Sequence, residues 1–81
     1  MKIVTFAWVR TQTGEPEFDH TTEAQTVGEL LTELISTRPN WAGLGERQAA
    51  IRCALDQTMA GPEASLKGVR EVAFFPPVTG G

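Results

Sequence analysis

The sequence predicts an α+β domain, a mixed sheet of four to five strands with one main helix packed on one face. Three observations predict it. A stretch in the first half places Val27, Leu30, Leu31, Leu34 and Ile35 at helical spacing, so that they share one face. Two apolar segments rich in β-branched and aromatic residues, 2–10 and 69–75, stand at opposite ends of the chain. The length of 81 residues allows one two-layer core and leaves little room for a deep, enclosed active site.

Residues 2–10 read as the first strand, with Ile3, Ala7 and Val9 on one side and Val4, Phe6 and Trp8 on the other. A strand apolar on both faces belongs in the centre of its sheet. Gly14 and Pro16 mark a turn among polar residues, and 18–25 reads as a second strand that pairs antiparallel with the first. The helix is expected over residues 27–37. Thr26 is its N-cap, Glu29 completes a capping box, and Arg38 before Pro39 ends it. Residues 40–48 form a connection with room for one helical turn. Residues 50–55 and 58–60 read as strands joined by a tight Asp56-Gln57 turn, although no glycine occupies it. Gly61-Pro62 breaks the chain, and Leu66-Lys67-Gly68 turns it into the last strand, 69–75. The first and last strands, being the most apolar, are expected side by side in the sheet centre, with the leucine face of the helix across them. This order is that of the β-grasp architecture, one of several α+β options that periodicity leaves open. The domain is expected over residues 1–76, with 77–81 as a flexible tail.

The formal net charge of −3, with seven Lys and Arg scattered along the chain, argues against nucleic acid as a partner. The single cysteine, Cys53, forms no internal disulfide and suits a reducing compartment. The apolar N-terminal stretch is too short to cross a membrane. Together these point to a cytoplasmic protein without a membrane partner.

After Phe75 the sequence reads Pro76-Pro77-Val78-Thr79-Gly80-Gly81. Two prolines end the strand by removing backbone donors. Residues 77–81 reach about 17 Å when extended, at about 3.4 Å each. Gly80 and Gly81 carry no Cβ, so another protein can close tightly around them. The expectation is a working group at the carboxylate of Gly81. The plain alternative is an ordinary frayed chain end.

With these features the segment Glu71-Val72-Ala73-Phe74-Phe75-Pro76-Pro77-Val78-Thr79-Gly80-Gly81 resembles the C-terminus of the MoaD-like small subunits of molybdopterin synthase, in the ubiquitin-like sulfur-carrier family. Phe6-Ala7-Trp8-Val9-Arg10 is similar to that family's first strand. Ala54-Leu55-Asp56-Gln57-Thr58 resembles its Val-Asn-Gln hairpin, and Leu66-Lys67-Gly68 its Leu-x-x-Gly turn. The sequence departs from the pattern at Asp56, often Asn, and at Val69-Arg70, where acidic residues are common.

The resemblance implies a ubiquitin-like β-grasp fold and a sulfur carrier. An ATP-dependent, E1-like adenylyltransferase would convert the Gly81 carboxylate to an acyl adenylate, and sulfur would then replace AMP to give a thiocarboxylate. The tail would enter the large subunit of molybdopterin synthase, in a heterotetramer, and deliver sulfur to cyclic pyranopterin monophosphate. Val78 and Thr79 would act as spacer and Gly80 would give clearance. No resident cofactor is implied, since ATP serves the activating enzyme. Phe6 and Phe75, with Met59 beside them and Trp8 as an extension, would form an apolar patch for the partner. The plain alternative is that these side chains pack at the edges of their own domain.

Other residues carry less. Cys53 lacks the cationic surroundings of a reactive thiol and reads as a core residue. His20 stands alone and makes no metal site. Gly43-Leu44-Gly45-Glu46 lacks the spacing and the lysine of a phosphate loop. The competing functions are a thiamine-type carrier, a protein modifier joined to lysines, and a plain binding module that uses the aromatic sheet face.

Overall fold

The computed structural model describes residues 1–77. Its elements are β1 (Lys2–Thr5), α1 (Ala7–Thr13), β2 (Glu17–Asp19), α2 (Val27–Thr37), a 3-10 helix (Pro39–Ala50), β3 (Arg52–Leu55), β4 (Thr58–Ala60) and β5 (Glu71–Phe75). One five-stranded mixed sheet has the order β2-β1-β5-β3-β4. β1 and β5 pair in parallel, Ile3 opposite Val72 and Thr5 opposite Phe74, and all other pairings are antiparallel. The two end segments of the chain therefore do lie side by side.

The first strand is half as long as its composition suggests. Ala7 takes φ 52° and starts a helix, so Trp8, Val9 and Arg10 are helical rather than extended. The neighbours explain the stop. On one side β2 is a short strand, and on the other β5 ends before Pro76-Pro77. A longer β1 would leave its amides and carbonyls unpaired. The last ladder-like bond on this side is the amide of Phe6 donating to the carbonyl of Phe74 at 3.1 Å. α1 is too short to persist alone. Val9 buries in the core, the hydroxyl of buried Thr13 donates to the Val9 carbonyl, and Gly14 closes the helix at φ 72° by donating to the Arg10 carbonyl. The expected second strand, 18–25, is replaced by the short Glu17–Asp19, and the strands expected over 50–55 and 69–75 begin two residues late, at Arg52 and Glu71, with Ala50 still in the 3-10 helix, while both end where expected.

α2 matches its expected limits. The Thr26 hydroxyl accepts from the Glu29 amide, and Glu29 accepts from the Gln25 amide, one residue earlier than in a standard capping box. Arg38 ends the helix in an extended conformation ahead of Pro39. The connection that follows is a long 3-10 helix. Its buried residues, Trp41 and Leu44, lie three apart, as the three-residue period of that helix requires. Trp41 stacks edge-on against both Phe18 and Phe74, at 5.9 and 5.8 Å between ring centroids. Ile3, Thr5, Val72, Phe74 and Cys53 form the sheet's contribution to this core, and Val27, Leu30, Leu31 and Leu34 that of α2. All helical segments gather on this side, and the opposite sheet face remains open.

Candidate functional site

The open face is built by strand alternation. Residues that alternate with buried Ile3, Val72, Phe74 and Cys53 must point the other way. Register lines them up: Glu17, Val4, Ala73, Ala54 and Met59 form one row across the five strands, and Phe75 pairs with Arg52 in the next row. Phe6 extends β1 on the same side. Phe6 is 44% and Met59 64% exposed, while Phe75 is half-buried. Small residues at Ala54 and Ala73 leave the centre of the face low. The result is a shallow, largely apolar strip across the sheet with two prominent side chains, Phe6 and Met59, and β5, which leads directly into Pro76-Pro77, runs through its centre.

Trp8 is placed differently. It lies in α1, half-buried against the core, and the guanidinium of Arg47 stacks on its ring at 4.6 Å. It borders the sheet end rather than joining the row of the strip. The geometry brings Phe6 and Phe75 to the end of the sheet where the tail leaves, with Met59 on the same face two strands away. Val78, Thr79, Gly80 and Gly81 lie outside the described residues. The sequence reading placed Val4 on the face of Phe6 but missed Ala54 and Ala73, which complete the strip. Alternation about Cys53 and Phe74 was the available signal.

A compact polar cluster joins the start of β2 to the end of α2. Arg38 donates to both carboxylate oxygens of Glu15 at 2.8 and 2.7 Å, Asn40 donates to Glu15 at 2.7 Å, and the Arg38 guanidinium lies 4.0 Å over the Phe18 ring. Burial raises the pKa of Glu15, but the Arg38 and Asn40 hydrogen bonds and the Arg38 charge outweigh it, so the carboxyl is held below the ordinary carboxylate value. Trp41 Nε1 and Arg38 Nε are buried without partners among the described residues. This cluster fastens the β2 entry to the end of α2. It holds no nucleophile.

His20 and Glu33 meet at 2.6 Å, and Thr22 donates to the other Glu33 oxygen. The bond from His20 lowers the Glu33 pKa against the opposing effect of burial. The pair pins the 20–26 loop to α2. Cys53 lines an apolar groove of about 400 Å³ between α2 and β3, and its thiol donates to the Ala60 carbonyl at 3.1 Å. Burial pushes its pKa up, so the thiol stays protonated and unreactive. Among the described residues no group of three or more His, Cys, Asp or Glu is placed to hold a metal ion, and no helix is long and apolar enough to cross a membrane.

Comparison with known proteins places this geometry. The molybdopterin synthase sulfur carrier subunit of Escherichia coli K12 is 33% identical over 81 residues, covering 100% of this chain and 99% of that protein. A protein described as molybdopterin converting factor subunit 1, from Pyrococcus furiosus, superposes with a TM-score of 0.74 at 23% identity, over 95% of both chains. Small archaeal modifier protein 1 of Haloferax volcanii gives 0.73 at 23% identity, over 99% of this chain and 97% of that one. These two likenesses establish the ubiquitin-like β-grasp fold. The ThiS family profile matches residues 3–81, and the chain belongs to the ThiS family.

Proposed function

We propose that this chain is the sulfur-carrier subunit of a molybdopterin synthase and works in the cytoplasm, with Gly81 as the residue that carries sulfur. The observation that carries this reading is the end-to-end match to a subunit of that description. The geometry supports it. The apolar strip gives a partner something to cover, and β5 delivers the chain from that strip into the double proline. The described part of the molecule holds no nucleophile–base pair that would suggest self-contained catalysis.

A carboxylate is a poor electrophile, so it needs activation before it exchanges oxygen for sulfur. An E1-like adenylyltransferase would join the Gly81 carboxylate to the α-phosphate of ATP with loss of pyrophosphate. A persulfide on the sulfur donor would then displace AMP to give an acyl disulfide, and a second thiol would cleave its S–S bond, leaving the Gly81 thiocarboxylate and a disulfide on the donor. With the large subunit covering Phe6, Phe75 and Met59, the tail would enter that subunit's pocket through Val78, Thr79 and Gly80. The sulfur would be delivered there to cyclic pyranopterin monophosphate to build the dithiolene of molybdopterin. The general acids and bases would belong to the large subunit.

The test is intact mass spectrometry of the protein after incubation with ATP, the adenylyltransferase and a sulfur donor. It is followed by addition of the large subunit and the pterin precursor. The expected result is replacement of one oxygen by sulfur at Gly81, then molybdopterin formation. Deleting Gly81 should abolish sulfur transfer and leave docking intact. An unchanged terminus under conditions that charge the E. coli relative overturns the proposal. Lysine-linked conjugates in place of molybdopterin would favour the protein-modifier alternative.

A further inference from the structure

The cations of this chain are unevenly used. Of its seven Lys and Arg, Lys2 pairs with Glu17 and Arg38 with Glu15. The other five are exposed and form no ion pair among the described residues. Lys67 and Arg70 precede β5, and the topology gathers Arg10, Arg47 and Arg52 at the opposite end of the molecule. Arg52 pairs with Phe75 at the last position of β5. Arg10 lies in α1, which follows the end of β1 that runs parallel to β5. Arg47 stacks on Trp8 of the same helix. That end is where the chain leaves the sheet for Pro76.

Among the described residues each guanidinium is braced without being neutralised. Arg10 donates from Nε to the Thr5 carbonyl at 3.0 Å and sits 5.5 Å from the Phe6 ring centre. Arg47 lies flat on an indole, and Arg52 donates to the Ala49 carbonyl at 3.1 Å. Carbonyls and ring faces orient a guanidinium while leaving its remaining donors and its full charge available. The acids of this end are Glu15, already taken by Arg38, and Glu46 and Glu63, neither of which pairs with an arginine. At the far end charges of both signs mix: Asp19, Glu71 and Asp56 lie near Lys2 and Arg70, with Lys67 close by in the chain. The cluster of unpaired arginines is confined to the end where the tail departs.

We infer that Arg10, Arg47 and Arg52 form a cationic collar at the root of the tail that docks against an acidic rim on the large subunit, around the opening that receives the tail. The inference rests on the sulfur-carrier reading and adds to it the chemistry of the partner's surface. Arg52 shares its face with Phe75 and the apolar strip, so one partner can cover both at once. A nucleic acid fits poorly, because the collar adjoins an apolar strip and the chain is acidic overall. Attraction at the collar would act chiefly on the rate of encounter, and salt would weaken it.

The test measures association of the full-length chain with the large subunit by stopped flow across a series of salt concentrations. The wild-type rate should fall as salt rises. Reversing two collar charges together, Arg47→Glu with Arg52→Glu, should slow association about tenfold or more at low salt and remove the salt dependence. Arg47→Lys with Arg52→Lys should retain most of the rate, because the charge remains. The matched control reverses Lys67 and Arg70 at the opposite end, by Lys67→Glu with Arg70→Glu. It changes net charge equally and should leave the rate within about twofold of wild type. Circular dichroism confirms folding of each variant, and the lysine pair carries the test if the glutamate pair unfolds. Association that ignores salt, or equal slowing by collar and control reversals, overturns the collar while leaving the sulfur-carrier reading standing. A wild-type chain that does not bind the large subunit at all overturns both.

Discussion

Glu15 shows how a single side chain fastens two segments that the sequence does not connect. Its carboxylate accepts from Arg38 and Asn40, more than twenty residues along the chain. With its pKa lowered in the folded state, it stabilises the fold above the unfolded carboxylate pKa, and this contribution is lost as pH falls through the folded value. Glu15→Ala should therefore cost about 2 kcal/mol in urea denaturation near neutral pH, and the difference from wild type should shrink in acid. A cost independent of pH would show that packing, not charge, is what matters at this position. The hairpin turn offers a second residue-scale test. Asp56 and Gln57 both hold positive φ, 49° and 71°, the mirror-image turn that suits two-residue hairpins. Asp56 offsets its strain by accepting from the amides of Arg70 and Glu71. Gln57 has no such compensation among the described residues, so Gln57→Gly should stabilise the protein by about 1 kcal/mol, read as a higher denaturation midpoint.

At the scale of elements, α2 was legible because every local signal agrees: the leucine spacing, the Thr26 cap and the Arg38-Pro39 stop. α1 was not. Its residues, Ala7 to Thr13, favour extended structure as much as helix, and what decides between them is the length of the neighbouring strands. Gly14 was the one local clue, read as a turn and serving as a helix stop. An added Cβ at Gly14 meets nothing within 4 Å, so Gly14→Ala isolates backbone strain from packing. It should destabilise by about 1 kcal/mol without altering the sheet. A loss several times larger would mean that α1 contributes more to the core than the burial of Val9 and Thr13 indicates. The 3-10 helix was underread for a related reason. Its period of three appears only in Trp41 and Leu44, too few residues to distinguish from chance spacing.

For the whole molecule, the decisive feature is that one face of the sheet is packed and the other is left open. Phe6 and Met59 project from the open face and contribute little to their own core. Replacing both by serine should change stability by less than about 0.5 kcal/mol while weakening large-subunit binding by at least about tenfold, measured by calorimetry. Equal losses in stability and binding would return these side chains to an ordinary structural role. The aromatic residues of this site were nameable from sequence, but their arrangement was not. Trp8 was grouped with them on the assumption of a continuous strand, and the helix carries it round to the sheet end beside Arg47.

The sequence by itself determined the α2 helix, the Asp56-Gln57 turn and the family-specific ending, because each depends on residues close together in the chain or on a motif that needs no partner, and the apolar composition of the two end strands anticipated their pairing. Only the tertiary structure decided where β1 stops, which side chains share the open face and which arginines gather where the tail departs. Those outcomes depend on register between segments up to seventy residues apart. A strand's length, the face a side chain presents and the charges that become neighbours are set by the pairing partner, which no local pattern encodes.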